Sequence, residues 1–299
     1  MRWCGTGTQS NCGESVMLFT KITVLGAGTM GHGIAQVCAM AGYSVCLTDQ
    51  SQEHLELAMT KIDSNLKKGL ERGKVSQETY ALATANLETH VDLATAVQGA
   101  ELVIEAIPEN LELKQRLFRI IDENTADNAI LATNTSSLSV EDIASVVSDP
   151  SRVIGLHFFN PVHIMKLLEI VYHSNTDKSV ISACESFAET IRKESILVRN
   201  TPGFATSRLG VAIGMEAIRM LEEGVASAAD IDKAMVLGYR HPVGPLRLTD
   251  MVGLDVRLAI GEYLAKELGN SAFEPPKLLR SLVEQGKLGK KTKEGFYRW

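Results

Sequence analysis

His157 and Glu169 flank the turn Asn160-Pro161-Val162-His163. Each lies in a short apolar run, Arg152-Val-Ile-Gly-Leu-His157 before the turn and Lys166-Leu-Leu-Glu-Ile-Val171 after it. Such runs read as strands. If the two strands pair antiparallel about the turn, the histidine and the carboxylate meet across the hairpin. A carboxylate orients a neighbouring imidazole and stabilises the charge it acquires, which suits the ring to take a proton from an alcohol. A histidine merely satisfied within a strand gives the same pattern, so the pair alone does not decide between the two readings.

A second group of residues could hold a dinucleotide. Lys21-Ile-Thr-Val-Leu25 reads as a buried strand, and Gly26-Ala27-Gly28-Thr29-Met30-Gly31 follows it directly. Ile34, Val37, Cys38 and Ala41 then recur at helical spacing up to Gly42, and a second strand, Ser44-Val-Cys-Leu-Thr48, ends at Asp49. In such a unit Gly26 permits a tight turn, Gly28 lets backbone approach a pyrophosphate, and Gly31 lets the helix pack closely on the strand. The helix N-terminus supplies N–H donors and partial positive charge. Asp49 is placed to accept hydrogen bonds from the adenosine ribose and to repel a 2′-phosphate, so the expected cofactor is NAD and not NADP.

These groups need a sheet to hold them. Strands are expected at Glu101–Ala106, Ala129–Ala132 and Ser195–Val198, with helices at Leu111–Glu123, Val140–Val147 and Ile181–Ile191 between them. The alternation implies an α/β class: a Rossmann-type, mostly parallel, doubly wound sheet. Residues 52–86 interrupt it with two polar helical patterns, read as a helical hairpin projecting from the sheet. Its basic residues Lys67, Lys68, Arg72 and Lys74 could meet a phosphate or simply form a solvated face. Beyond Asn200-Thr-Pro-Gly203 only helices are expected, at Phe204–Glu223, Ala228–Leu237, Gly253–Leu268 and Pro276–Gln285. The domain reading is therefore a disordered extension at 1–16, a nucleotide-binding domain at 17–200 and an all-helical domain at 201–299.

Composition excludes several classes. With a formal net charge of −6 among 299 residues, the chain is not a general nucleic-acid binder, and no apolar run is long enough to span a membrane. Five cysteines, an odd number without metal-ligand spacing, read as thiols of a reducing compartment, here the cytoplasm. No metal is expected.

Several runs then carry a resemblance. His157-Phe-Phe-Asn-Pro161 with Met165-Lys-Leu-Leu-Glu169 resembles the signature of the 3-hydroxyacyl-CoA dehydrogenase family. So do Asn134-Thr-Ser-Ser-Leu138, Asn200-Thr-Pro-Gly-Phe204, Gly244-Pro-Leu-Arg-Leu-Thr-Asp250 with Gly253-Leu-Asp255, and Gly289-Lys-Lys-Thr-Lys-Glu-Gly-Phe-Tyr297. The resemblance implies NAD-dependent oxidation of a 3-hydroxyacyl-CoA, of short chain such as 3-hydroxybutyryl-CoA, in a homodimer. It implies that His157 is the catalytic base and Glu169 its partner, with Ser136 bonding near the reacting oxygen and the nicotinamide. Glu109, Lys114, Asn160 and Lys291 match positions that touch the cofactor in relatives. Two departures stand out. Ser207 occupies a place where relatives carry Asn, and is expected to contact substrate. On the helical hairpin, Asn65 and Arg72 stand near the places of a CoA-contacting Ser and Lys, with Arg72 still able to pair with phosphate. Two rival readings share the fold: a dehydrogenase of a CoA-free hydroxy or sugar acid, and an NAD-binding scaffold without catalysis.

Overall fold

The computed structural model describes residues 19–299. The extension expected at 1–16, with Cys4 and Cys12, lies outside the described residues. The short apolar runs form strands and the longer periodic stretches form helices. In chain order these are β1 (Lys21–Leu25), α1 (Gly31–Met40), β2 (Ser44–Thr48), α2 (Gln52–Glu71), α3 (Gln77–Ala85), β3 (Leu87–His90), α4 (Leu93–Val97) and β4 (Leu102–Glu105). Then follow α5 (Leu111–Asn124), β5 (Ile130–Thr133), α6 (Val140–Ala144), β6 (Val153–Phe158), β7 (Leu167–Tyr172), α7 (Lys178–Thr190) and β8 (Glu194–Arg199). The remaining helices are α8 (Thr206–Glu222), α9 (Ala228–Gly238), α10 (Pro245–Val252), α11 (Leu254–Leu268) and α12 (Lys277–Glu284).

All eight strands form one sheet, in the order β3-β2-β1-β4-β5-β6-β7-β8. Every pairing is parallel except β6 with β7. The chain order reverses at β1, which lies between β2 and β4, and in such sheets ligands bind beyond the carboxyl ends of strands at that point. Both faces are covered. On one face Ile22, Val24, Leu102 and Ile104 pack under α1, α2 and α7, and on the other Leu25, Val103, Leu131 and Val153 pack under α5 and α6. A third core lies within α8–α12, built on Val211, Met215, Ile218, Leu246 and Leu264.

Some elements differ from the sequence reading. β3 was not expected: Leu87-Glu-Thr-His90 has no buried apolar run, and becomes a strand only by pairing with β2 at the sheet edge. α4 and α10 were also not expected. α10 opens on Gly244-Pro245 and stops at Gly253, whose φ of +109° suits glycine. The helical hairpin does not stand clear of the domain. Leu55, Ala58, Ile62 and Leu66 of α2 are buried in the same core as α1, so only its polar face is free.

The glycines after β1 have separate steric reasons. A Cβ on Gly31 would fall 1.7 Å from the Gly26 carbonyl oxygen, and one on Gly26 would fall 2.8 Å from that of Ala106. A Cβ on Gly28 would meet nothing within 4 Å. Gly31→Ala is therefore expected to destabilise the fold by at least about 1–3 kcal/mol through forced backbone displacement. Gly28→Ala should stay within about 0.5 kcal/mol of the parent, both variants being compared by urea titration.

Candidate active site

β6 and β7 pair antiparallel with His157 directly opposite Glu169. The His157 Nδ1–H donates to Glu169 Oε2 at 2.6 Å. An ionised carboxylate can only accept, so this contact fixes the tautomer and leaves the Nε2 lone pair free. The ring lies between Phe159, at 4.4 Å between centroids, and Phe204, at 5.9 Å. Glu169 is fully buried, and its other contacts come from the start of α8. The Thr206 N–H donates to Oε1 at 2.9 Å, the Ala205 N–H to the same oxygen at 3.3 Å, and the Thr206 hydroxyl to Oε2 at 3.1 Å. Burial pushes the Glu169 carboxyl up, but His157 and the Thr206 donors outweigh it and hold the group below its ordinary value.

Ser136 sits in the loop after β5, and Glu109 organises that loop. One carboxylate oxygen of Glu109 receives the Thr135 hydroxyl at 2.7 Å, the Ser136 and Ser137 N–H groups at 3.0 and 3.1 Å, and the two serine hydroxyls at 3.3 and 3.2 Å. That exceeds the capacity of one oxygen, so the long hydroxyl contacts are the ones free to turn to a ligand. Burial pushes Glu109 up, while Lys114 and these donors bring it below its ordinary value. Lys114 has no exposed surface. Its Nζ lies 2.6 Å from Glu105 and 3.5 Å from Glu109, which places it beneath the cleft as a support for Glu109. The Asn134 carboxamide oxygen accepts the Phe158 N–H at 2.8 Å, tying this loop to the end of β6. Ser207, on the first turn of α8, faces Ser136 from the other side, its hydroxyl 3.5 Å from the Ser136 carbonyl oxygen.

The glycine turn lies at the reversal point of the sheet. The Gly26 N–H donates to the Thr48 carbonyl at 2.8 Å, and Gly28 and Thr29 are exposed. No side chain caps the first turn of α1 at Met30, and apart from the His32 N–H, which donates to the Gly28 carbonyl at 3.3 Å, its N–H groups remain open to an anion. Asp49 Oδ2 accepts the Ala27 N–H at 2.9 Å, while Oδ1 accepts the Ser51 N–H at 3.0 Å and contacts His54 at 3.2 Å. A carboxylate has about four lone-pair positions, so one on Oδ2 remains for a ribose hydroxyl. The open space at Gly28, the uncapped helix and this carboxylate fit a dinucleotide.

The other expected residues have the following surroundings. Asn160 is exposed on the β6–β7 turn, which the buried Lys193 holds by donating to the carbonyls of Val162 and Met165. Lys291 pairs with Asp255 at 2.5 Å within the helical part. Arg72 is exposed at the end of α2 without a side-chain partner among the described residues, and Asn65 donates to Gln36 at 3.2 Å. Thr206, Thr135 and Asn134 organise the site through hydrogen bonds that no spacing rule reveals.

Residues 21–201 match the family described as 3-hydroxyacyl-CoA dehydrogenase, NAD binding domain, and residues 203–299 match its C-terminal domain. The chain belongs to the 3-hydroxyacyl-CoA dehydrogenase family. It is an NAD-dependent oxidoreductase of 3-hydroxyacyl-CoA. The rat mitochondrial hydroxyacyl-coenzyme A dehydrogenase is 41% identical over 95% of this chain and 92% of its own length. A 3-hydroxybutyryl-CoA dehydrogenase of Clostridioides difficile is 40% identical, covering 93% of this chain and 98% of its own. The crystal structure of (S)-3-hydroxybutyryl-CoA dehydrogenase from Ralstonia eutropha superposes with a TM-score of 0.91 at 37% identity, over 94% of this chain and 99% of that one.

The lowered pKa of Glu169 has a definite sign in stability. A carboxyl depressed by folding contributes stability above its unfolded value, near 4.5, and loses it as pH falls through the folded value. Urea titrations from pH 7 to pH 3 are expected to show a smaller acid loss in Glu169→Gln than in the parent. Equal losses would show that the carboxylate is not a native-state acid-labile contact.

Proposed function

We propose that His157 takes the proton of the substrate 3-hydroxyl through Nε2 while the hydride leaves C3. The observation that carries this is the buried His157–Glu169 contact, which leaves Nε2 as the unoccupied ring nitrogen. Bound NAD supplies the hydride acceptor. Glu169 stays ionised and stabilises the imidazolium as it forms, and in the reverse direction the protonated ring is the general acid. Ser136 turns its hydroxyl from Glu109 to the reacting oxygen, so that oxygen meets a donor beside the base. Ser207, across from Ser136, offers a second hydroxyl on a short side chain. Gly26 to Gly31 and the start of α1 hold the pyrophosphate, and Asp49 the adenosine ribose.

The names of the Clostridioides and Ralstonia relatives support a short acyl chain such as 3-hydroxybutyryl-CoA. The exposed basic residues of the hairpin, Arg72 among them, support a role in meeting the CoA phosphates. Buried unpaired Cys38, Cys46 and Cys184 support a reducing compartment, the cytoplasm in our reading, although the mammalian relatives are mitochondrial by name. No helix among the described residues is long and apolar enough to cross a membrane. A homodimer is supported by apolar side chains that α8 and α10 leave in solvent, Leu209 at 64%, Met251 at 50% and Val252 at 43% exposure.

His157→Gln is expected to lower turnover by about a hundred- to ten-thousandfold while NAD affinity, followed by fluorescence titration, changes little. Asp49→Ala should weaken NAD and narrow its advantage over NADP. NADH oxidation should proceed with acetoacetyl-CoA and not with free acetoacetate; the opposite order would support a CoA-free substrate. Sedimentation velocity is expected to show a dimer that Met251→Glu shifts toward monomer, and a monomeric parent would exclude the assembly.

A further inference from the structure

Cys46, Glu88 and His90 meet on one face of the sheet edge. β2 and β3 pair in parallel with Cys46 opposite Glu88 and Thr48 opposite His90. Residues two apart along a strand point to the same face, so the three side chains project together. Val45 and Leu47 point the other way, into the core under α1 and α2. The Cys46 Sγ, a Glu88 carboxylate oxygen and a His90 ring nitrogen all lie within 4.8 Å of one another. Cys46 is fully buried, His90 is half-buried and Glu88 is exposed, so the cluster is anchored inside and open at its outer end. Cys46 stands far from the other two in the chain, and no ligand spacing shows along the sequence.

The surroundings leave these groups available. Glu88 lies 3.9 Å from Lys21, the one ion pair among the described residues that involves any of the three. The Lys21 Nζ is closer to the Gln98 carbonyl, to which it donates at 3.0 Å. On the inner side Thr23 of β1 stands beside Cys46, but its hydroxyl donates to the Ala96 carbonyl at 2.7 Å. Burial and the Glu88 carboxylate push the Cys46 group up to about 11, against the pull of Lys21, so it is a thiol at neutral pH.

We propose that Cys46, Glu88 and His90 form a site for Zn²⁺, with water in the fourth position. A borderline-soft ion takes sulfur, nitrogen and oxygen together, whereas hard cations such as Mg²⁺ and Ca²⁺ do not select a thiolate. In a tetrahedral shell with bonds of about 2.0–2.3 Å, ligand atoms stand roughly 3.3–3.7 Å apart. The site therefore closes by rotation of the exposed Glu88 and half-buried His90 against a fixed sulfur. The ion replaces the thiol proton, which leaves to water, and thiolate and carboxylate balance its two charges. β3 is an edge strand with one neighbour in the sheet, so the metal pins it to β2. The site is separate from the catalytic pair, since β1, β4 and β5 lie between β2 and β6.

The test titrates Co²⁺ into the full-length protein after chelator treatment, with Zn²⁺ then added in competition. The parent is expected to bind one equivalent with a near-ultraviolet thiolate-to-cobalt charge-transfer band, which bleaches as zinc displaces cobalt. Cys46→Ser should abolish the band. Glu88→Gln and His90→Gln should each weaken binding by at least about tenfold. These two change side chains that reach solvent, so they decide the question even if Cys46→Ser does not fold. NADH oxidation by acetoacetyl-CoA without added metal should match the parent in each folded variant. A parent with no saturable band overturns the proposal. A band that survives in folded Cys46→Ser belongs to another thiol, such as Cys4 or Cys12, and overturns it too. Unchanged affinity in Glu88→Gln or in His90→Gln overturns the three-ligand site.

Discussion

The buried carboxylate of Glu169 has a position on which much of the site depends. One oxygen holds the His157 ring, and both receive donors from the beginning of α8. A single desolvated anion thereby ties the β6–β7 hairpin of the sheet to the first helix of the helical part. Its cost of burial is offset only when all these donors are present, so the hairpin, the α8 N-terminus and the imidazole orientation are coupled. Phe204 strengthens the link by packing within the sheet core while its ring flanks His157.

A second carboxylate does a comparable job on the loop after β5. Glu109 gathers Thr135, Ser136 and Ser137, and Lys114 with Glu105 supports it from the interior. The two carboxylates position the imidazole on β6 and the serine hydroxyl on the loop after the neighbouring strand β5. Neither is the group proposed to move a proton. Preorganising acids behind the reacting side chains keep those side chains aimed without occupying the cleft.

Much of this was legible in the sequence. The strand, glycine turn, helix, strand and acid before residue 50 are local, since each depends on neighbours in the chain, and the α/β order with later helices followed from periodicity. The His157–Glu169 pairing was legible because one antiparallel turn determines which residues face each other. The partners of residues singled out by resemblance were not legible. Lys114 proved a buried support, and Lys291 is engaged with Asp255. Arg257 went unnoticed because an arginine near the start of a helix reads as a solvated charge. Its burial against α8, more than forty residues away in the chain, is visible only in the packed structure.

The division has a physical cause. Turn sterics, helical and strand periodicity and the sign of Asp49 depend on residues close in the chain, so the sequence by itself determined the α/β class and the dinucleotide turn. Burial and hydrogen-bond partners depend on contacts between distant segments. Only the tertiary structure decided that β3 is an edge strand, that α2 lies on α1, and that Glu169 joins the sheet to α8. It alone decided that Arg257 is buried, because desolvation is a property of the packed whole and not of any stretch of chain.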